Sequence, residues 1–249
     1  MKATAVIQAR MSSTRLSGKV LLPLSGKPVL EHIIERLSFS RMLDEIIVST
    51  TSDDIDDSIV KFCDDRGIKS FRGSKNDVLD RFYQTMNHYE LENIVRITAD
   101  CPLIDPTIVD AVILGYFAEN YDYYGLAGSF PDGLDCTVIS SKALKLAWSN
   151  AKLKSEREHV GPFIERNPEI FKLGEFHLFK NLGDERWTLD EESDYEFLKN
   201  VFDSLYVEEK LFTTDEVLSF LDKNPEIRNL NKDIIRNEGY LKSLREDEK

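Results

Sequence analysis

A rhythm in the first half of the chain narrows the fold more than any other feature. Short β-branched runs at 3–8, 45–50, 69–71 and 94–98 alternate with segments whose apolar residues recur at helical spacing. Val29, Leu30, Ile33, Ile34 and Leu37 share one face of a helix predicted over 28–37, with Pro28 suited to its first turn. Ser52 or Asp53 can cap a second helix that buries Ile55, Ile59 and Phe62. Val78, Leu79, Phe82 and Met86 line a third helix starting near Asp77, and 106–117 reads as a fourth. Repeated βα units of this length predict an α/β fold in three layers, a mostly parallel sheet with helices on both faces. Ligands of such sheets sit where the strands end and their loops diverge. Here those loops are 8–19 and 99–102.

After residue 120 the rhythm changes. Strands are predicted at 121–126, 136–140, 171–179 and 186–189, read as an inserted β-rich lobe (121–189) for substrate binding or dimerisation within a single domain spanning 1–249. Helices at 192–205 and 214–221 follow. A chain of 249 residues, 41% hydrophobic and 31% charged, can bury one such core. No apolar run approaches the roughly 18 residues of a membrane span. The run at 3–9 is too short for a signal-peptide core and is followed by Arg10 instead of a small-residue cleavage site, so the expected compartment is the cytoplasm. Cys63, Cys101 and Cys136 are odd in number and widely spaced, the pattern of reduced thiols rather than of a disulfide framework or zinc site.

Charge distribution says more than its total. The net charge of −13 argues against nucleic acid or an anionic membrane as partner. Asp and Glu make up 45 residues, yet the first of them is Glu31, and the acid-free stretch before it carries Arg10, Arg15, Lys19 and Lys27. Within it, residues 8–19 (QARMSSTRLSGK) follow a buried strand directly and are rich in hydroxyls and cations. A triphosphate needs such donors, so Arg10, Arg15 and Lys19 are candidate catalytic groups for phosphate, with Gln8, Ala9, Met11 and Ser12 beside them on the nucleotide. The spacing is not that of a Walker loop.

Two aspartates end later strand-like runs. Asp100, stiffened by Pro102 in RITADCPL, is placed to hold Mg²⁺, which takes one or two carboxylates plus phosphate oxygens. In RWTLDEESD, Asp190 or Asp194 caps a helix and the other is free as a second ligand. Asp190, nearer the strand, is the better candidate. Arg157 and His159 could face an anionic acceptor, an ordinary solvated helix end being an equal reading. Asp135 in the turn PDGLD could bind acceptor hydroxyls.

At these residues the sequence resembles the cytidylyltransferases that activate acidic sugars, most closely the branch tied to spore-coat polysaccharide biosynthesis. IQARMSSTRLSGKVL, FRGSKNDVLDRF, RITADCPLIDP, GLDC, REHVGPFIERNPE, RWTLDEESDYEFL and NEGYLKSL carry the resemblance across nearly the whole chain. It implies a glycosyltransferase-A-like nucleotide-sugar transferase fold and a homodimer through the inserted lobe. It also implies CTP as donor, a small acidic sugar as acceptor, and Mg²⁺ on Asp100 and Asp190. Asp80 and Arg81 would lie near the nucleoside, and Arg72 and Thr98 fall in matched segments read as nucleotide contacts. Three residues depart from the branch: Ser17 stands in place of proline, Ala99 of glycine and Thr137 of glutamate. The rival readings are a sugar transferase of the same broad fold and a non-catalytic nucleotide-binding homologue.

Overall fold

A computed structural model describes residues 2–248. In chain order, strand β1 (Ala3–Gln8) leads to a single 3₁₀ turn at Lys19–Leu21 and the hairpin of β2 (Pro23–Leu24) and β3 (Lys27–Pro28). Then come α1 (Val29–Ser38), β4 (Leu43–Thr51), α2 (Asp57–Asp64), β5 (Lys69–Gly73), α3 (Val78–His88), β6 (Asn93–Thr98) and α4 (Pro106–Ala118). The next part of the chain forms β7 (Tyr123–Leu126), β8 (Cys136–Ser140), α5 (Ser141–Asn150), α6 (Lys154–His159), α7 (Pro162–Glu165) and β9 (Leu173–Phe176). It ends in α8 (Glu192–Leu205), α9 (Thr214–Lys223), α10 (Pro225–Arg228) and α11 (Glu238–Asp247).

The predicted βα rhythm is present. Strands β5, β4, β1 and β6 pair in parallel in that order, and the seven-stranded sheet continues β8, β7, β9. Strand β8 runs antiparallel to both neighbours, which leaves β7 and β9 parallel to the rest. The sheet is therefore mostly parallel, as the alternation implied.

The 121–189 segment differs in detail from expectation. Its strands complete the central sheet instead of building one of their own, and β9 ends at Phe176, short of residue 179. Residues 186–189 form no strand: Arg186 makes one isolated parallel bridge to Asp132. The second helix also starts later than expected. An Asp54–Asp56 3₁₀ turn precedes α2, and the Asp53 side chain bonds Lys75 instead of capping.

Strand alternation divides the core in two. Ala5 and Ile7 of β1 and Val95 and Ile97 of β6 pack under α1, α4 and α8. Val6 and Ile94 point the other way, into a second core with Leu79 and Phe82 of α3, Leu144 of α5 and Ile164 of α7. The C-terminal ends of β1 and β6 lie at the edge between these layers.

Candidate active site

Strands β1 and β6 are adjacent, with Gln8 opposite Thr98, so the two loops predicted to carry chemistry leave the sheet side by side. The first folds upon itself: Met11 O accepts from the backbone N–H of Ser13 and of Gly18, both at 2.9 Å. Met11 N–H donates to Asp56 Oδ1 at 2.7 Å, which ties the loop to the turn before α2. Gly18 takes φ 71°, a left-handed conformation strained for any side chain, and the chain turns there to send Lys19 inward.

Lys19, only 9% exposed, gathers the site. Its Nζ donates to Asp100 Oδ2 at 2.7 Å, Asp190 Oδ1 at 2.8 Å and Leu189 O at 2.7 Å. Burial alone would lower the Lys19 pKa, but the Asp100 and Asp190 carboxylates outweigh it and hold the ammonium above its usual range. Burial would likewise raise Asp100, and the Lys19 charge and hydrogen bond bring it down to about 2. Arg15 meets Asp190 Oδ2 at 3.0 Å and reaches Glu238 at 2.7 Å and Glu191 at 3.7 Å. Arg15, Lys19, Asp100 and Asp190, from three separated segments, thus converge on one point.

Asp190 is brought there by a run of single bonds. Trp187 N–H donates to Asp132 O at 2.6 Å, and Leu189 N–H to Asp100 O at 2.8 Å. Gly133 permits this closeness: a Cβ there would stand 2.5 Å from the Trp187 carbonyl carbon. The sequence left Asp190 and Asp194 as alternatives, and their bonding separates them. Asp194 is fully buried, accepts the N–H groups of Asp190 (2.9 Å) and Glu191 (3.0 Å), and pairs with Arg186 at 2.8 Å. It caps α8, and Asp190 faces Lys19.

The other candidates have varied surroundings. Ala9 N–H is engaged with Ser49 O at 3.0 Å, and the buried Ser12 Oγ has no partner among the described residues. Arg10 is exposed and makes no ion pair among them. Thr98 Oγ1 lies 3.1 Å from Cys101 Sγ. Arg72 spends its donors on Thr51 O, Asp53 O and Asp57, bracing the β4–α2 connection. Asp80 accepts from Trp148 Nε1 at 2.8 Å, and Arg157 is engaged by Asp77 and Trp148 O. Asp135 is exposed and accepts Gly133 N–H at 3.0 Å. His159 Nε2 is buried without a partner. Burial first, then the charge of Arg96, lowers His159 to about 4, leaving the ring neutral at physiological pH. Lys27 stands apart, paired with Glu35 and Glu208.

Two residues escaped sequence reasoning. Arg186 is buried among Asp132, Asp190 and Asp194 and orders the second carboxylate loop. Arg96 sits inside β6 with Nε donating to Gln8 Oε1 at 3.1 Å. A charged residue within a β-branched run was the one available signal for Arg96. The departure Ala99 is accommodated: it is buried, and its N–H bonds Gln8 O at 3.0 Å.

Among the described residues, no three or more His, Cys, Asp or Glu side chains cluster as a metal site. The pair on Lys19 offers hard oxygens from two loops, which suits a Mg²⁺ that completes its shell with phosphate oxygens and water. The profile of the family described as cytidylyltransferase matches residues 4–237. The chain belongs to the cytidylyltransferase family. Membership makes it a CTP-dependent nucleotidyltransferase. An uncharacterised protein of Methanocaldococcus jannaschii is 40% identical over 239 residues, 94% of this chain and 96% of that one. The spore coat polysaccharide biosynthesis protein SpsF of Bacillus subtilis is 29% identical, covering 89% and 94%. A 3-deoxy-manno-octulosonate cytidylyltransferase of Geotalea daltonii is 34% identical over 189 residues, 74% of each chain. Among solved structures, a cytidylyltransferase from Leptospira borgpetersenii superposes with TM-score 0.87 at 33% identity, covering 95% of this chain and 100% of that one. No helix among the described residues is long and apolar enough to cross a membrane.

Proposed function

We propose that this cytidylyltransferase moves CMP from CTP to an acidic sugar, with Mg²⁺ as cofactor, in surface polysaccharide or glycan synthesis. The observation that carries the reading is the convergence of Asp100 and Asp190 on Lys19, beside a hydroxyl-rich loop with Arg10 and Arg15. An oxygen of the acceptor attacks the α-phosphorus of CTP in line; the bond to the β-phosphate oxygen breaks and pyrophosphate leaves. Arg10, Arg15 and Lys19 hold the β- and γ-phosphates and stabilise the negative charge on the departing pyrophosphate. Asp100 and Asp190 would hold Mg²⁺, which when bound neutralises phosphate charge. Arg186 and Asp194 keep Asp190 in position. Placement and electrostatics suffice, and no covalent enzyme intermediate is needed.

The cytoplasm, where CTP is made, is the proposed compartment, and three buried free thiols agree with a reducing one. A homodimer through the 121–189 segment agrees with β9 at the sheet edge and the exposed Ile170 and Leu178 nearby. A monomer in sedimentation equilibrium would count against the dimer. The activity is tested by ³¹P NMR with each of four nucleoside triphosphates, Mg²⁺ and a panel of sugar acids. The CTP resonances should give way to one phosphodiester and pyrophosphate with at least one acceptor. Conversion with another triphosphate in preference to CTP would contradict the donor.

A further inference from the structure

The two flanks of the β1–β6 edge are chemically unlike. The carboxylate flank is anchored by Val20, Leu103 and Leu189, all in the core under α1 and α8. The flank toward α3 and α6 carries cations. Arg96 shares its sheet face with Val6 and Ile94 of the second core, and the residue opposite it on β8 is the neutral Thr137. Its bond to Gln8 leaves it with no ion pair among the described residues.

The helices above add two more basic groups. Arg81 of α3 is 2% exposed and donates from Nη1 to Ser74 O at 2.7 Å, while its Nε is buried without a partner. His159, at the end of α6, likewise has an orphaned buried Nε2, with the Tyr240 ring edge-on at 5.1 Å. Arg10 and Arg96 act electrostatically on both. The carboxylates that oppose them are engaged elsewhere: Asp56 with Met11 N–H and Thr51, Asp77 with Arg157, and Asp247 with Ser155. Like charges drawn together beside buried, unmatched donors are costly unless an anion is held there.

We infer that Arg96, Arg81 and His159, with Arg10 shared with the triphosphate, form the subsite for an oxyanion group of the acceptor, carboxylate or phosphate. This rests on the proposed cytidylyl transfer, in which CTP occupies the Arg15–Lys19 flank. The subsite takes the place of Arg157 as the anchor of the acceptor's anion, since Arg157 is taken up by Asp77. Arg96 specifies charge on the acceptor, and neutral His159, as the Nε2–H tautomer, can donate to an oxygen of either a carboxylate or a phosphate.

The test uses ¹⁵N-histidine protein saturated with CTP and Mg²⁺, with His159 assigned through His159→Gln. Acetate or inorganic phosphate is titrated at constant ionic strength against chloride. The His159 ring nitrogens should shift and saturate with one of the two, acetate marking a sugar acid and phosphate a phosphorylated acceptor. Arg96→Met should weaken that titration at least about tenfold, the scale of one lost charge-assisted bond, in protein kept saturated with CTP. Arg96→Gln serves if the first variant does not fold. No response to either anion, an unchanged titration in the variants, or a shift complete on adding CTP alone would overturn the subsite while leaving the CTP reading intact. Failure of the wild type to bind CTP at all would fell both.

Discussion

Asp132 shows how the site loads charge onto single residues. It is 8% exposed; burial, then repulsion from Asp135, raises it to about 6 against the pull of Arg236 and Arg186. A carboxyl raised in the folded state contributes stability that is fully present below its unfolded value, near 3.8, and is lost as pH rises through about 6. Urea midpoints of wild type and Asp132→Asn should therefore diverge between those values. The wild type should lose on the order of 3 kcal/mol relative to the variant across that window. A constant difference at every pH would contradict the assignment. At this scale the sequence was informative where an aspartate closed a buried run, as at Asp100 and Asp190, and where cations and hydroxyls gathered in one acid-free loop, as at Lys19. Arg96 and Arg186 were harder to see, because an arginine inside an alternating run looks like the solvent side of a strand. Only the ladder register and the Asp194 contact reveal what they face.

Among elements, the boundary between residue 186 and α8 matters most. Trp187 and Leu189 are buried and alternate with polar neighbours, the pattern of a strand, yet they bond the loops at Asp132 and Asp100 instead of a neighbouring strand. Periodicity reports which side chains are buried, and the partner that buries them is not in the pattern. The same limit let 121–189 read as a lobe of its own, since a strand that joins a distant sheet alternates like one in a local sheet. The helix start beyond is predictable in kind. Asp194 serves two backbone N–H groups and a buried guanidinium, so Asp194→Ala should cost about 3–5 kcal/mol in denaturant unfolding. Asp190→Asn should cost far less stability yet slow turnover about 100-fold. Equal stability losses for the two variants would show that the roles have been divided wrongly.

For the whole molecule, the βα alternation fixed the parallel half of the sheet and so the edge where the chemistry sits. The acid-free opening of a chain with net charge −13 supplies that edge with its cations. Long-range convergence is what no local pattern contains: Lys19, Asp100 and Asp190 meet only because β1 and β6 are neighbours and Gly133 lets the 187–190 run come close. That convergence is the proposed catalytic centre. The most direct measurement is Mg²⁺-dependent pyrophosphate release from CTP with 3-deoxy-manno-octulosonate and related sugar acids, comparing wild type with Asp100→Asn. Release by the wild type that falls about 100-fold or more in the variant, with its fold intact, is the predicted result. Undiminished release by Asp100→Asn would place the chemistry elsewhere in the molecule.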